Sequence, residues 1–116
     1  MKAREAFRKY YDGKPHFMTN YPVAFGSVIT DKGLLHWELS NGRGIFCRTM
    51  WAISLLLEDD NGILSSPHDY DRDIGGVVTA MNDMYEASAM TLAKETVLRW
   101  VGELGMKVIN PFEDER

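Results

Sequence analysis

The 116-residue chain has a single cysteine, Cys47, which excludes an intramolecular disulfide and every paired-cysteine redox or zinc motif. It has no long hydrophobic run. The richest stretch, "WAISLLL", ends in "EDD", far short of the roughly 18 apolar residues of a membrane span. Basic charge is not in excess: 13 Lys and Arg face 17 Asp and Glu, a formal net charge of −4, which argues against a general affinity for nucleic-acid phosphates. The opening "MKAREAFRKYY" mixes charges with aromatics and has none of the apolar stretch of a secretory signal. Nucleophile elbow and phosphate loop are both missing, and "NGRG" at 41–44 is too short and too common in turns to cradle a phosphate. The expectation is a cytoplasmic protein with no membrane segment and no cofactor.

With 45% hydrophobic and 11% aromatic residues, the chain has the composition of one globular domain, 1–116, in which the acidic end 112–116 is expected to fray. Ala3, Ala6, Phe7 and Tyr10 recur at helical spacing and "DGKP" stops the pattern, which predicts a short helix near 2–11. "VAFGSVIT" and "LLHWELS", separated by "DKG", predict a hairpin. In the second strand Leu35, Trp37 and Leu39 alternate with His36 and Glu38, so the period of two sends the first set to the core and the second toward solvent. "NGRG" reads as the next turn. The segment 44–57 fits either a strand, with Ile45, Cys47, Thr49, Trp51, Ile53 and Leu55 on one face, or a helix with Phe46, Met50, Ile53 and Leu57 on one stripe. Strand is the reading taken for 44–54; "DDNG" then signals a third hairpin into "ILSS" or, on the helical alternative, the C-terminal end of a helix.

Helical spacing returns at Val77, Val78, Met81, Met84 and Tyr85, and again at Leu92, Ala93, Val97, Trp100, Val101 and Leu104. "GELG" predicts the helix end at Gly105. Unbroken from 77 to 104 the helix would run about 42 Å, so a bend is expected near 86–89; "MKVI" then suggests an edge strand. The fold class is α+β: a short N-terminal helix, an antiparallel meander of three or four strands, and a long or broken C-terminal helix packed on the sheet.

The densest polar stretch is "SSPHDYDRDIGG", residues 65–76. Its D-x-D-x-D alternation matches part of a calcium loop, but Ile74 stands where that loop needs glycine and Ala80 where it needs glutamate. Helix capping explains more of it. Ser66 at the N-cap, Pro67 in the first turn and Asp69 three residues on form a capping-box-like pattern, and the aspartates suit the positive end of the helix dipole. Cys47 reads as an inert core thiol on the apolar face of its strand. Met81, Met84 and Met90 read as core filler, with an adaptable partner surface as the alternative.

Charge is distributed unevenly. Residues 1–14 carry Lys2, Arg4, Arg8, Lys9 and Lys14 against Glu5 and Asp12, whereas 58–73 carry six acidic residues against Arg72. With no catalytic constellation in the pattern, the expectation is a non-enzymatic regulatory protein that docks on a protein partner, of the kind that includes inhibitors encoded by mobile elements. Its expected contacts are Arg4, Arg8, Lys9, Asp59, Asp60, Asp69 and Asp71. Nucleic acid would be a lesser partner, through the basic N-terminal helix; a homodimer would form through an edge strand or the long helix. The alternative is a small metal-dependent hydrolase or metal-binding enzyme using His36, Glu38, His68 and Asp71.

Overall fold

A computed structural model describes residues 1–12, 21–43, 49–66 and 86–115. Helix α1, Ala3–Tyr10, is followed by strands β1, Tyr21–Thr30, β2, Gly33–Arg43, β3, Thr49–Glu58, and β4, Leu64–Ser65; helix α2, Glu86–Glu103, and strand β5, Val108–Glu115, complete the order. The strands form one sheet in the order β4-β3-β2-β1-β5, with every pairing antiparallel. The α+β class holds, and the sheet has five strands instead of three or four.

α2 covers one face of the sheet. Ala89, Met90, Ala93, Val97, Trp100 and Val101 pack with Ala24 and Val28 of β1, Leu35, Trp37 and Leu39 of β2, and Ile53 and Leu55 of β3. The alternation of β2 thus delivers Leu35, Trp37 and Leu39 to the main core, each fully buried and each contributing about 2–3 kcal/mol through burial. Met90 serves as core filler. The helix ends where glycine allows it: Gly105 adopts φ +72°, the Gly105 N–H donates to Gly102 O, and the Met106 N–H donates to Val101 O at 3.0 Å. That is a Schellman closure, with Met106 tucked in behind it.

α1 covers part of the opposite face. Its stripe of Ala3 and Phe7 packs on Phe25 and Leu56, with Tyr10 and Tyr11 at the margin. The apolar spacing read from the sequence therefore holds, but its consequence for β2 does not. His36 is fully buried and Glu38 is 5% exposed, because the face expected to meet solvent lies under a helix.

Two other boundaries differ. β2 continues through Asn41, Gly42 and Arg43, paired with Trp51, Met50 and Thr49, so "NGRG" is largely strand. The β2–β3 register is uninterrupted from Leu34↔Glu58 to Arg43↔Thr49, and each added pair carries both strands beyond the expected turn. β3 is a strand, as read, over Thr49–Glu58; residues 44–48 of that reading lie outside the described residues. β5 takes in residues 112–115, where the sequence suggests fraying, because β1 supplies a pairing edge along Phe25, Gly26 and Ser27. "DDNG" does form a hairpin, with Gly62 at φ +77°. The described part of the long helix starts at Glu86, inside the segment where a bend is expected; the capped start at Ser66–Pro67 and the glycine pair at 75–76 concern residues 67–85, outside those described.

Candidate functional site

The α1-facing side of the sheet carries a row of polar side chains set by strand register. Ser27 of β1 stands opposite His36 of β2, and Glu58 of β3 lies two residues along, opposite Leu34. Ser27 Oγ lies 2.7 Å from His36 Nδ1, and His36 Nε2 lies 2.8 Å from Glu58 Oε1. The Nε2–H tautomer satisfies the chain: Ser27 donates to Nδ1 and the ring donates to the carboxylate. The Glu58 carboxylate also accepts from the N-terminal ammonium of Met1, at 3.2 and 3.3 Å. Burial raises the Glu58 carboxyl, but the hydrogen bonds from His36 and the N-terminus, together with their charges, outweigh it and hold the group below the usual range.

A serine, a histidine and a carboxylate in series invite comparison with a hydrolytic triad. Accessibility decides against it. Ser27 is 6% exposed and His36 fully buried, so a substrate carbonyl cannot approach within the roughly 3 Å that attack requires. The network instead clamps the chain's N-terminus to the end of β3.

Beyond the start of α1 the same face is open. There Ile29 of β1, Leu34 of β2 and Ile109 of β5 floor a groove of about 480 Å3, bounded by Asp31, Asp59 and Asp60. Both hairpin turns lie at this end of the sheet, which is why aspartates far apart in sequence meet here. Asp31 Oδ1 accepts the Lys107 N–H at 2.7 Å; Asp59 Oδ1 accepts the N–H groups of Asn61 and Ile63, both at 2.9 Å. Two of the three carboxylates are thus held in place, Asp59 by the turn it closes and Asp31 by the backbone leading into β5. Ile109 is 66% exposed and Ile29 38%. Lys32, beside Asp31 in sequence, turns to the other face, its Nζ 3.8 Å from where a Cβ on Gly105 would sit.

Of the residues expected to contact a partner, Asp59 and Asp60 meet at this groove. Arg4 and Arg8 line a separate cleft on α1 that also holds Glu38, and Lys9 borders a shallow cleft with Gly62, Ile63 and Leu64. The structure does not gather all the predicted contacts on one surface. Asp69 and Asp71 lie outside the described residues, as do His68 and Cys47. His36 and Glu38, from the metal-binding alternative, share a face as strand spacing requires, yet His36 Nε2 is engaged with Glu58. Among the described residues no group of three or more His, Cys, Asp or Glu could hold a metal ion, and no helix is long and apolar enough to cross a membrane.

The sequence reading missed Ile29, Asp31 and Ile109. Asp31 carried a faint signal, as an acidic residue in the "DKG" turn, but Ile109 becomes significant only once β5 pairs with β1. No family model, curated protein or solved structure matches the chain significantly.

Proposed function

We propose that the protein is a non-enzymatic docking module whose groove takes a basic, amphipathic segment of a protein partner. The observation that carries this reading is the apolar floor of Ile29, Leu34 and Ile109 set between Asp31 on one turn and Asp59 and Asp60 on the other. One or two apolar side chains of the partner would bury the exposed isoleucines, and flanking Lys or Arg residues would meet the aspartates. Glu58 also borders the groove, but its charge is taken up by Met1; the three aspartates supply the field. Backbone N–H groups already hold Asp31 and Asp59, which lowers the cost of ordering them on binding.

The test is affinity capture from lysate with the wild-type chain beside Ile109→Glu and Asp60→Lys. The expected result is a stoichiometric protein partner, bound through a Lys- or Arg-containing segment, that both variants lose. A partner retained by both variants would place the interface elsewhere and overturn the reading, as would catalytic turnover of a small substrate by a chain that retains no partner.

A further inference from the structure

The cleft between α1 and β1 is separate from the docking groove and has different chemistry. Its volume is about 280 Å3, and its lining includes Arg4, Phe7 and Arg8 from α1, Tyr11 at its C-cap, Phe25 from β1 and Glu38 from β2. Helical spacing organises it. Arg4 and Arg8 are four residues apart, as are Phe7 and Tyr11, so α1 presents a cationic row beside an aromatic row. The rings of Phe7 and Tyr11 are nearly parallel, 10° apart in plane with centroids at 6.3 Å. Phe25 meets Phe7 from the sheet at 6.0 Å and 54°, and the Arg4 guanidinium stands 4.6 Å from the centroid of the Phe25 ring.

We propose that this cleft binds a small aromatic anion, an aryl carboxylate or aryl phosphate, with its ring against Tyr11 at the mouth, where the buried Phe7 and Phe25 only back the cleft, and its charged group held by Arg4 and Arg8. Two guanidinium groups on one wall repel each other, and an anion between them relieves that repulsion while offering oxygens for their N–H donors. The half-buried Tyr11 ring favours a flat ligand body. The volume lies at the small end of the roughly 300–1,000 Å3 of small-molecule sites, which selects a single ring over a nucleotide. Glu38 is compatible with an anionic guest, because burial pushes its carboxyl up to about 7 and leaves it neutral in mildly acidic solution. Among the described residues the charged groups that share the cleft with it are Arg4 and Arg8; its cross-strand neighbours, Phe25 and Ser54, do not titrate.

Calorimetric titration of the full chain near pH 6 with phenyl phosphate and benzoate tests the proposal, with benzyl alcohol supplying the ring without charge and inorganic phosphate the charge without ring. Both aryl anions should bind saturably at one site, about tenfold or more tighter than either comparator. The double variant Arg4→Ala/Arg8→Ala, whose changes are both at exposed positions, should still melt cooperatively, with a Tm lowered only by the lost Arg4–Phe25 contact, and lose about tenfold or more in affinity. Binding of the wild type should weaken as pH rises through about 7, and Glu38→Gln should bind at either pH without that loss. Absence of saturation by about 10 mM, equal binding of inorganic phosphate, or affinity unchanged in the double arginine variant would each overturn the proposal.

Discussion

Glu38 shows how one residue's environment becomes a property of the whole fold. Burial raises its carboxyl from the usual 4.5 to about 7, so the folded state holds a proton that the unfolded state releases at lower pH. Stability from this group is fully present below about pH 4.5 and is lost as pH rises through 7. The expected loss is up to about 3 kcal/mol. Glu38→Gln should abolish it: denaturant melts at pH 5 and pH 8 should show the wild type falling behind the variant only at the higher pH. Glu58 acts in the opposite sense, since its lowered carboxyl contributes stability above its unfolded value that is lost as pH falls. Gly33 is a second decisive residue. At φ +137° a Cβ would strike the Glu58 carbonyl oxygen of the neighbouring strand, so Gly33→Ala should cost about 2 kcal/mol or more in a denaturant titration.

At the scale of elements, two glycines at the end of α2 should respond oppositely to the same substitution. Gly102 is exposed within the helix with open space around it, so Gly102→Ala should stabilise by about 0.5–1 kcal/mol, seen as a higher Tm. Gly105 has ordinary room for a methyl group, but its φ of +72° is one that alanine resists, and Gly105→Ala should destabilise by about 1 kcal/mol. β1 and β2 show the limits of reading an element in isolation. Their period of two was legible, and with it the choice of Leu35, Trp37 and Leu39 for the core. Which helix would cover the other face was not, because α1 and β2 are far apart in the chain, with β1 between them, and helix-on-sheet packing leaves no local trace. His36 and Glu38 look like solvated strand residues until Phe7 and Ala3 lie over that side of the sheet.

For the whole molecule, the separation of charge gives the docking reading its kinetic signature. Asp31, Asp59 and Asp60 gather at the hairpin end of the sheet, while Arg4 and Arg8 sit along α1 around a different cleft. With a basic partner in hand, Asp60→Lys should lower the association rate several-fold at low salt, and the effect should fade as ionic strength rises toward 1 M, where the Debye length is about 3 Å. Arg8→Glu should not slow association. Stopped-flow measurements on the two variants distinguish steering by the acidic groove from steering by the basic helix.

The sequence by itself determined the local structure wherever a pattern is self-contained: the helical stripe of α1, the alternation of β2, the "DKG" and "DDNG" turns, and the end of α2 at Gly105. Each of these depends on residues within a few positions of one another, so side-chain period and backbone preference suffice. Only the tertiary structure decided what required distant segments to meet. β5 joins β1 across roughly 80 residues of chain, which places Ile109 beside Ile29; the two hairpin turns share one end of the sheet, which brings Asp31 to Asp59; and α1 folds over β2, which buries His36 against Glu58. Strand order and helix placement follow from the summed burial of all apolar faces at once, a quantity that no short stretch of sequence contains.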